Sequence, residues 1–123
     1  MKTFSFEKLI VWEKSIVLSE LIYKLTKTFP NEEKFNLTSQ MRRCSISIPS
    51  NIAEGSGRNS WKDKARFTEI AFSSALELLN QSILSEKLKF ITCEQVISIR
   101  QQISEITLML DKLRKSQLSN INL

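Results

Sequence analysis

The chain has 123 residues and a net charge of +5, with 41% hydrophobic and 25% charged residues, only two glycines and two prolines, and no histidine. That length and mix describe one globular core, and the shortage of glycine and proline argues against a sheet with many turns. Without histidine there is no Ser-His or Cys-His nucleophile pair and no Glu-x-x-His di-metal site, and two isolated cysteines, Cys44 and Cys93, form neither a disulfide framework nor a thiolate-only zinc site.

A first helix is predicted over about residues 7–29. Leu9, Trp12, Ile16, Ser19, Tyr23 and Thr26 recur at +3/+4, and Val11, Leu18, Ile22, Leu25 and Phe29 widen that stripe. Pro30 stops the helix, because the residue before a proline avoids the helical region. A second helix is predicted over about residues 33–55, with Leu37, Met41, Cys44, Ile48 and Ile52 on one face. The stripe stays in phase across Pro49, so the expectation is one kinked helix, with Ser45, Ser47 and Ser50 satisfying the backbone groups that the proline frees. Gly55 and Gly57 end it. A third helix is predicted over about residues 61–88, with Ser60 as N-cap and Asp63 in its first turn. Its expected core residues are Phe67, Ile70, Ala71, Ala75, Leu78, Leu79 and Leu88. The fourth, over about residues 93–115, opens with Thr92 and Gln95 in capping-box positions. Val96, Ile99, Ile103, Ile106, Leu110 and Leu113 then repeat at +3, +4, +3, +4, +3, and the residues from Ser116 onward are expected to fray.

Long helices joined by short links must run antiparallel to their neighbours. The predicted fold class is therefore all-α, an up-and-down antiparallel four-helix bundle forming one domain over residues 1–123, with helices crossing near +20°. The opening MKTFSFEKLIVWEKS lacks the apolar run of a signal peptide, and no window is long and apolar enough to cross a membrane. A cytoplasmic protein with reduced, packed cysteines, no membrane contact, no metal and no cofactor is the expectation.

Charge is uneven along the chain. Between Arg42 and Arg66 stand Arg42, Arg43, Arg58, Lys62, Lys64 and Arg66 against Glu54 and Asp63. This stretch covers the end of the second helix, the following loop and the start of the third, and it is expected to form one basic end of the bundle that attracts polyanions by phosphate contact and counterion release. The bland alternative is a solvated face that keeps the protein soluble. Arg43, Ser47, Ser50, Asn51, Glu54 and Arg58 form a polar stripe on the second helix, away from Cys44, Ile48 and Ile52. It reads either as a solvated face with a Glu54–Arg58 pair or as a subunit contact that fixes register. Trp12 falls in core phase, whereas Trp61, in the first turn of the third helix, suits stacking on a base or a subunit contact.

The run from Gln40 to Leu79, QMRRCSISIPSNIAEGSGRNSWKDKARFTEIAFSSALELL, resembles the bacterial four-helix-bundle family first noted as proteins encoded in intervening sequences of 23S rRNA genes, also called the S23 family. Gln40, Arg42, Arg43, Ser47, Ile48, Pro49, Asn51, Ile52, Ala53, Glu54, Gly55, Gly57 and Arg58 carry the match, followed by Phe67, Ile70, Ala71, Ser74, Glu77 and Leu78. Cys44 stands where alanine is usual and Ser73 where glycine is usual. The resemblance implies an up-and-down bundle and a ring-shaped homo-oligomer, a homopentamer. A related member, the accessory protein of diversity-generating retroelements, binds nucleic acid and a reverse transcriptase, which implies RNA, DNA or such a protein as partner.

The functional expectation is thus a non-catalytic homo-oligomeric binding module associating with nucleic acid or a ribonucleoprotein. Arg42, Lys62, Lys64 and Arg66 are the expected phosphate contacts, and Arg43, Asn51, Glu54, Arg58 and Trp61 the expected subunit-contact or signature residues. The rival is a protein–protein scaffold that binds no nucleic acid. An enzyme is not expected.

Overall fold

A computed structural model describes residues 1–121. A 3-10 turn over Ser5–Lys8 leads into α1 (Ile10–Thr26), a second such turn over Asn31–Glu33 precedes α2 (Leu37–Ser56), and α3 (Trp61–Lys87) and α4 (Cys93–Ser119) follow. No strand occurs among the described residues. α1 packs on α2 and α4, α2 on α3, and α3 on α4, while the backbones of the diagonal pairs stay apart. That closed square of sequential neighbours is the up-and-down bundle.

The starts of α3 and α4 obey the capping chemistry of the sequence. Ser60 Oγ accepts the Asp63 amide at 3.1 Å. At α4 the Gln95 amide donates to Thr92 Oγ1 and the Thr92 amide donates back to Gln95 Oε1, a reciprocal box at 3.2 and 2.8 Å. α3 ends without glycine. Lys89 takes a left-handed φ of 66°, the Lys89 amide donates to the Glu86 carbonyl, and the Phe90 amide reaches the Ser85 carbonyl. This paired closure satisfies the last carbonyls, and Phe90 then packs against Phe29 at 5.3 Å between centroids, the rings tilted by 51°.

The α4 heptad is buried as its spacing predicts: Val96, Ile99, Ile103, Ile106 and Leu110 all turn inward. α1 is different. Its inward row is Val11, Ser15, Leu18, Ile22 and Thr26, while Trp12 and Ile16 pack half-buried on the flank and Tyr23 is exposed. Two apolar rows run at +3/+4 along this helix, and the row with the smaller residues won the core. The same holds in α3. Its buried row is Ala65, Thr68, Ala71, Ser74, Ala75, Leu78, Ser82 and Ser85, whereas Ile70 and Leu88, expected in the core, are exposed. Small side chains there let α2 come close: a Cβ built on Gly55 would lie 2.8 Å from Phe67 Cβ. Two of its buried hydroxyls are turned back to their own helix, Ser82 Oγ donating to the Leu78 carbonyl and Ser85 Oγ to the Gln81 carbonyl, each at 2.8 Å.

α2 runs through Pro49 as one helix. A proline at that position deprives the Ser45 carbonyl of its helical donor. The replacement donor comes from across the bundle: Ser19 Oγ of α1 donates to the Ser45 carbonyl at 2.8 Å. Ser45 itself donates to the Arg42 carbonyl, and Ser47 pairs with Ser74 of α3. The lost bond is therefore recovered as a tertiary contact rather than by the neighbouring serines. Past Lys115 the helix continues to Ser119, because Gln117 is buried and its Oε1 accepts from Thr68 Oγ1 at 2.7 Å. Of the tail expected to fray, Asn122 and Leu123 lie outside the described residues.

Candidate functional site

The expected basic region divides in two. Arg42 and Arg43 lie near the start of α2, and Arg58 lies past its end. Sixteen residues at 1.5 Å rise put them about 24 Å apart. Arg42 is engaged within the bundle. Its Nε donates to Thr26 Oγ1 at 2.9 Å, its Nη2 to the Tyr23 carbonyl at 3.4 Å, and its guanidinium sits 4.6 Å from the Tyr23 ring centroid. It closes the C-terminal end of α1, where unpaired carbonyls favour a cation. The structure therefore sets Arg42 apart from the other expected phosphate contacts, Lys62, Lys64 and Arg66.

The other cations meet at the end of the bundle where α2 passes into α3. Lys64 Nζ donates to the Ser56 carbonyl at 3.0 Å, closing the last turn of α2, and lies 5.7 Å from the Trp61 ring centroid. Arg58 lies over Phe67 at 4.5 Å and pairs with Glu54 at 3.6 Å. Both groups of that pair are exposed, so it is worth only tenths of a kcal/mol, in the order of ~0.3. Lys62 and Arg66, four residues apart on α3, are exposed and make no ion pair among the described residues. Trp61 is 44% exposed beside them.

Two further segments reach this end that the linear reading did not include. In an up-and-down bundle the N-terminus, the α2–α3 loop and the end of α4 share one pole. The Thr68–Gln117 bond and the Arg114–Glu69 ion pair at 2.8 Å tie the end of α4 to the start of α3. Over residues 1–8, 54–69 and 111–119 the pole carries Lys2, Lys8, Arg58, Lys62, Lys64, Arg66, Lys112, Arg114 and Lys115 against Glu7, Glu54, Asp63, Glu69 and Asp111. The rest of the chain holds nine basic and eight acidic residues, so +4 of the net +5 sits at one pole. The predicted topology alone would have found these residues, had their charges been summed by pole rather than along the chain.

Of the polar stripe of α2, Arg43 and Ser47 border the α2–α3 seam, whereas Ser50 borders α1. Asn51 Nδ2 donates to the Ser47 carbonyl at 2.7 Å and to Ser47 Oγ at 3.0 Å, and Ser47 Oγ pairs with Ser74 Oγ at 2.8 Å. Above them a shallow groove is lined by Gln40, Arg43, Cys44, Ser47, Ser74 and Glu77. Arg43 is exposed there and has no ion-pair partner among the described residues. Asn51 is half-buried by contacts within its own subunit, and Glu54 and Arg58 are in the i,i+4 pair.

Burial and the neighbouring Glu77 carboxylate, 3.5 Å from Sγ, push the Cys44 thiol up to about 12, which keeps it protonated and non-nucleophilic. Cys93 is exposed, with no partner cysteine in reach. Among the described residues no three His, Cys, Asp or Glu side chains come together as metal ligands. No helix among them is long and apolar enough to cross a membrane.

Comparison with known proteins agrees with this architecture. The model of the family described as 23S rRNA-intervening sequence protein matches residues 7–112. Among solved structures, a protein with unknown function from the S23 ribosomal protein family of Bacteroides thetaiotaomicron is 32% identical, covering 86% of this chain and 99% of that one with a TM-score of 0.79. Among proteins with curated descriptions none matches.

Proposed function

We propose, from the premise that the chain belongs to the 23S rRNA-intervening sequence protein family, that it is a non-catalytic homo-oligomeric module that associates with nucleic acid or a ribonucleoprotein through its basic pole. The observation that carries this reading is the gathering of +4 of the net +5 at the pole formed by the N-terminal segment, the α2–α3 loop and the end of α4. Phosphate contacts there release condensed counterions, which is the main sequence-independent source of affinity for a polyanion. Lys62 and Arg66 are the primary contacts, with Lys64 contributing from its place over Trp61. One pole offers few contacts. A ring of copies, the homopentamer that the family resemblance implies, repeats them, and linked weak sites add by avidity.

The test is fluorescence anisotropy with labelled RNA and DNA across a salt series. Binding at about 50 mM salt that weakens linearly with the logarithm of salt concentration supports the reading. No binding at low salt, or binding without a salt slope, refutes it. Light scattering tests the ring: five copies of the 14.2 kDa chain give about 71 kDa. One observation favours a protein–protein scaffold as the second reading. A groove on the α1–α2 seam is lined by Trp12, Ile16, Ile46, Pro49 and Ala53, apart from Ser19 and Ser50 an apolar set. A scaffold of that kind, with a protein partner such as a reverse transcriptase, keeps its partner after nuclease treatment and binds neither RNA nor DNA.

A further inference from the structure

We infer that Trp61 is a base-stacking platform and that the basic pole therefore selects single-stranded nucleic acid over duplex. The inference rests on the nucleic-acid reading above and adds the kind of strand. The two tryptophans are held differently. Trp12 is half-buried against the core and meets Phe6 edge-on at 5.2 Å. Trp61 is 44% exposed in the first turn of α3 and has no aromatic partner among the described residues. One cation is placed beside it, Lys64 Nζ at 5.7 Å from its ring centroid, and Lys62 and Arg66 are further exposed cations of the same helix, with Asp63 and Glu69 the acids of its first turns.

That surrounding distinguishes a base from a protein surface as the occupant. An indole that anchors a protein contact is usually ringed by apolar residues that exclude water. An exposed indole with an ammonium beside it, at a pole with an excess of cations, fits a ligand offering a flat π-face with a phosphate on each side, which is the repeat of a single strand. The charge complementarity is the excess of cations over acids at this pole. In duplex DNA or RNA the base faces are already stacked on one another, so Trp61 meets only backbone and adds little.

The test uses the full-length protein and fluorescein-labelled oligo-dT beside a hairpin duplex of equal length. Trp61→Ala is checked by circular dichroism and light scattering before titration, and Trp61→Phe serves as the conservative variant. Stacking on an aromatic side chain contributes about 1–3 kcal/mol per base, so Trp61→Ala should weaken oligo-dT binding by about fivefold to 150-fold. Trp61→Phe should recover most of that loss, and duplex affinity should stay within about twofold of wild type. In a Trp12→Phe background, oligo-dT should quench the remaining indole fluorescence. Equal loss on both ligands, or no loss on oligo-dT, overturns the inference, as does a fall in oligomer mass in Trp61→Ala, which would make Trp61 a subunit contact. Salt-dependent binding that ignores Trp61 defeats this inference alone. The absence of binding to either ligand at low salt defeats the nucleic-acid reading beneath it as well.

Discussion

Substituting the two glycines by alanine should move stability in opposite directions, although both lie at the same end of α2. A Cβ at Gly55 would sit 2.8 Å from Phe67 Cβ and 3.6 Å from the Lys64 carbonyl oxygen. Ordinary contact begins near 3.4 Å, so the seam must open by about 0.6 Å at that point. Phe67 Cβ is fixed to its backbone and cannot swing aside, so α3 itself has to shift. Overpacking of this kind costs about 1–3 kcal/mol, against about 0.5–1 gained by alanine over glycine within a helix. The expected net loss for Gly55→Ala is about 1–2 kcal/mol. Gly57 differs, because a Cβ there meets only the Glu54 carbonyl oxygen at 3.6 Å and its φ of −90° suits any residue. Gly57→Ala should gain about 0.4–1 kcal/mol by restricting the unfolded chain. Urea unfolding at one fixed protein concentration reads both, with the slope m checked for constancy. If Gly55→Ala proves as stable as wild type, close approach at the α2–α3 seam is not what keeps glycine at that position.

The remaining predictions use other contacts. Ser19→Ala should cost about 1–2 kcal/mol by orphaning the Ser45 carbonyl, and it should cost almost nothing in a Pro49→Ala background, where the amide of residue 49 supplies the donor; a double-mutant cycle on urea midpoints measures that coupling. Lys62→Ala with Arg66→Ala should leave unfolding unchanged and lower the salt slope of nucleic-acid binding by roughly 1.5–2, whereas Arg42→Ala should lower the melting temperature and leave the slope as it was. Cys93 should react with a thiol reagent in the folded protein, and Cys44 only on unfolding, as followed by mass spectrometry. The unfolded Cys44 thiol ionises near 9.0 and the folded one near 12, so the folded state holds the extra proton between those values and stability falls as pH rises through them. Cys44→Ala should lack that part of the alkaline loss. Lys89→Gly should raise stability by about 0.5–1 kcal/mol by relieving a left-handed residue that carries a Cβ.

How far the sequence reached depends on whether a feature is periodic or relational. Four helices and their antiparallel order follow from spacing and from short links, and the α4 heptad and the Thr92–Gln95 box were legible residue by residue because each is local. Spacing fails where two apolar rows share one helix. In α1 and α3 Trp12, Ile16, Tyr23, Ile70 and Leu88 are kept out of rows that mix Val11, Leu18, Ile22 and Leu78 with alanine, serine and threonine, since a close helix contact rewards small residues and nothing in one helix's sequence reports how near its neighbour will come. Pro49 shows the same limit. The freed carbonyl was predictable from the backbone, but its donor stands 26 positions earlier on another helix. The basic pole lies between these cases. Lys62, Lys64 and Arg66 were legible as neighbours, Arg42 was misplaced by about 24 Å because a helix carries charge away at 1.5 Å per residue, and Lys2, Lys8, Lys112, Arg114 and Lys115 belong to the pole only through topology. A charge sum over the ends of an antiparallel bundle is thus a stronger reading of such a chain than a sum over consecutive residues, because the field that a polyanion meets is set by the pole and not by the order of synthesis.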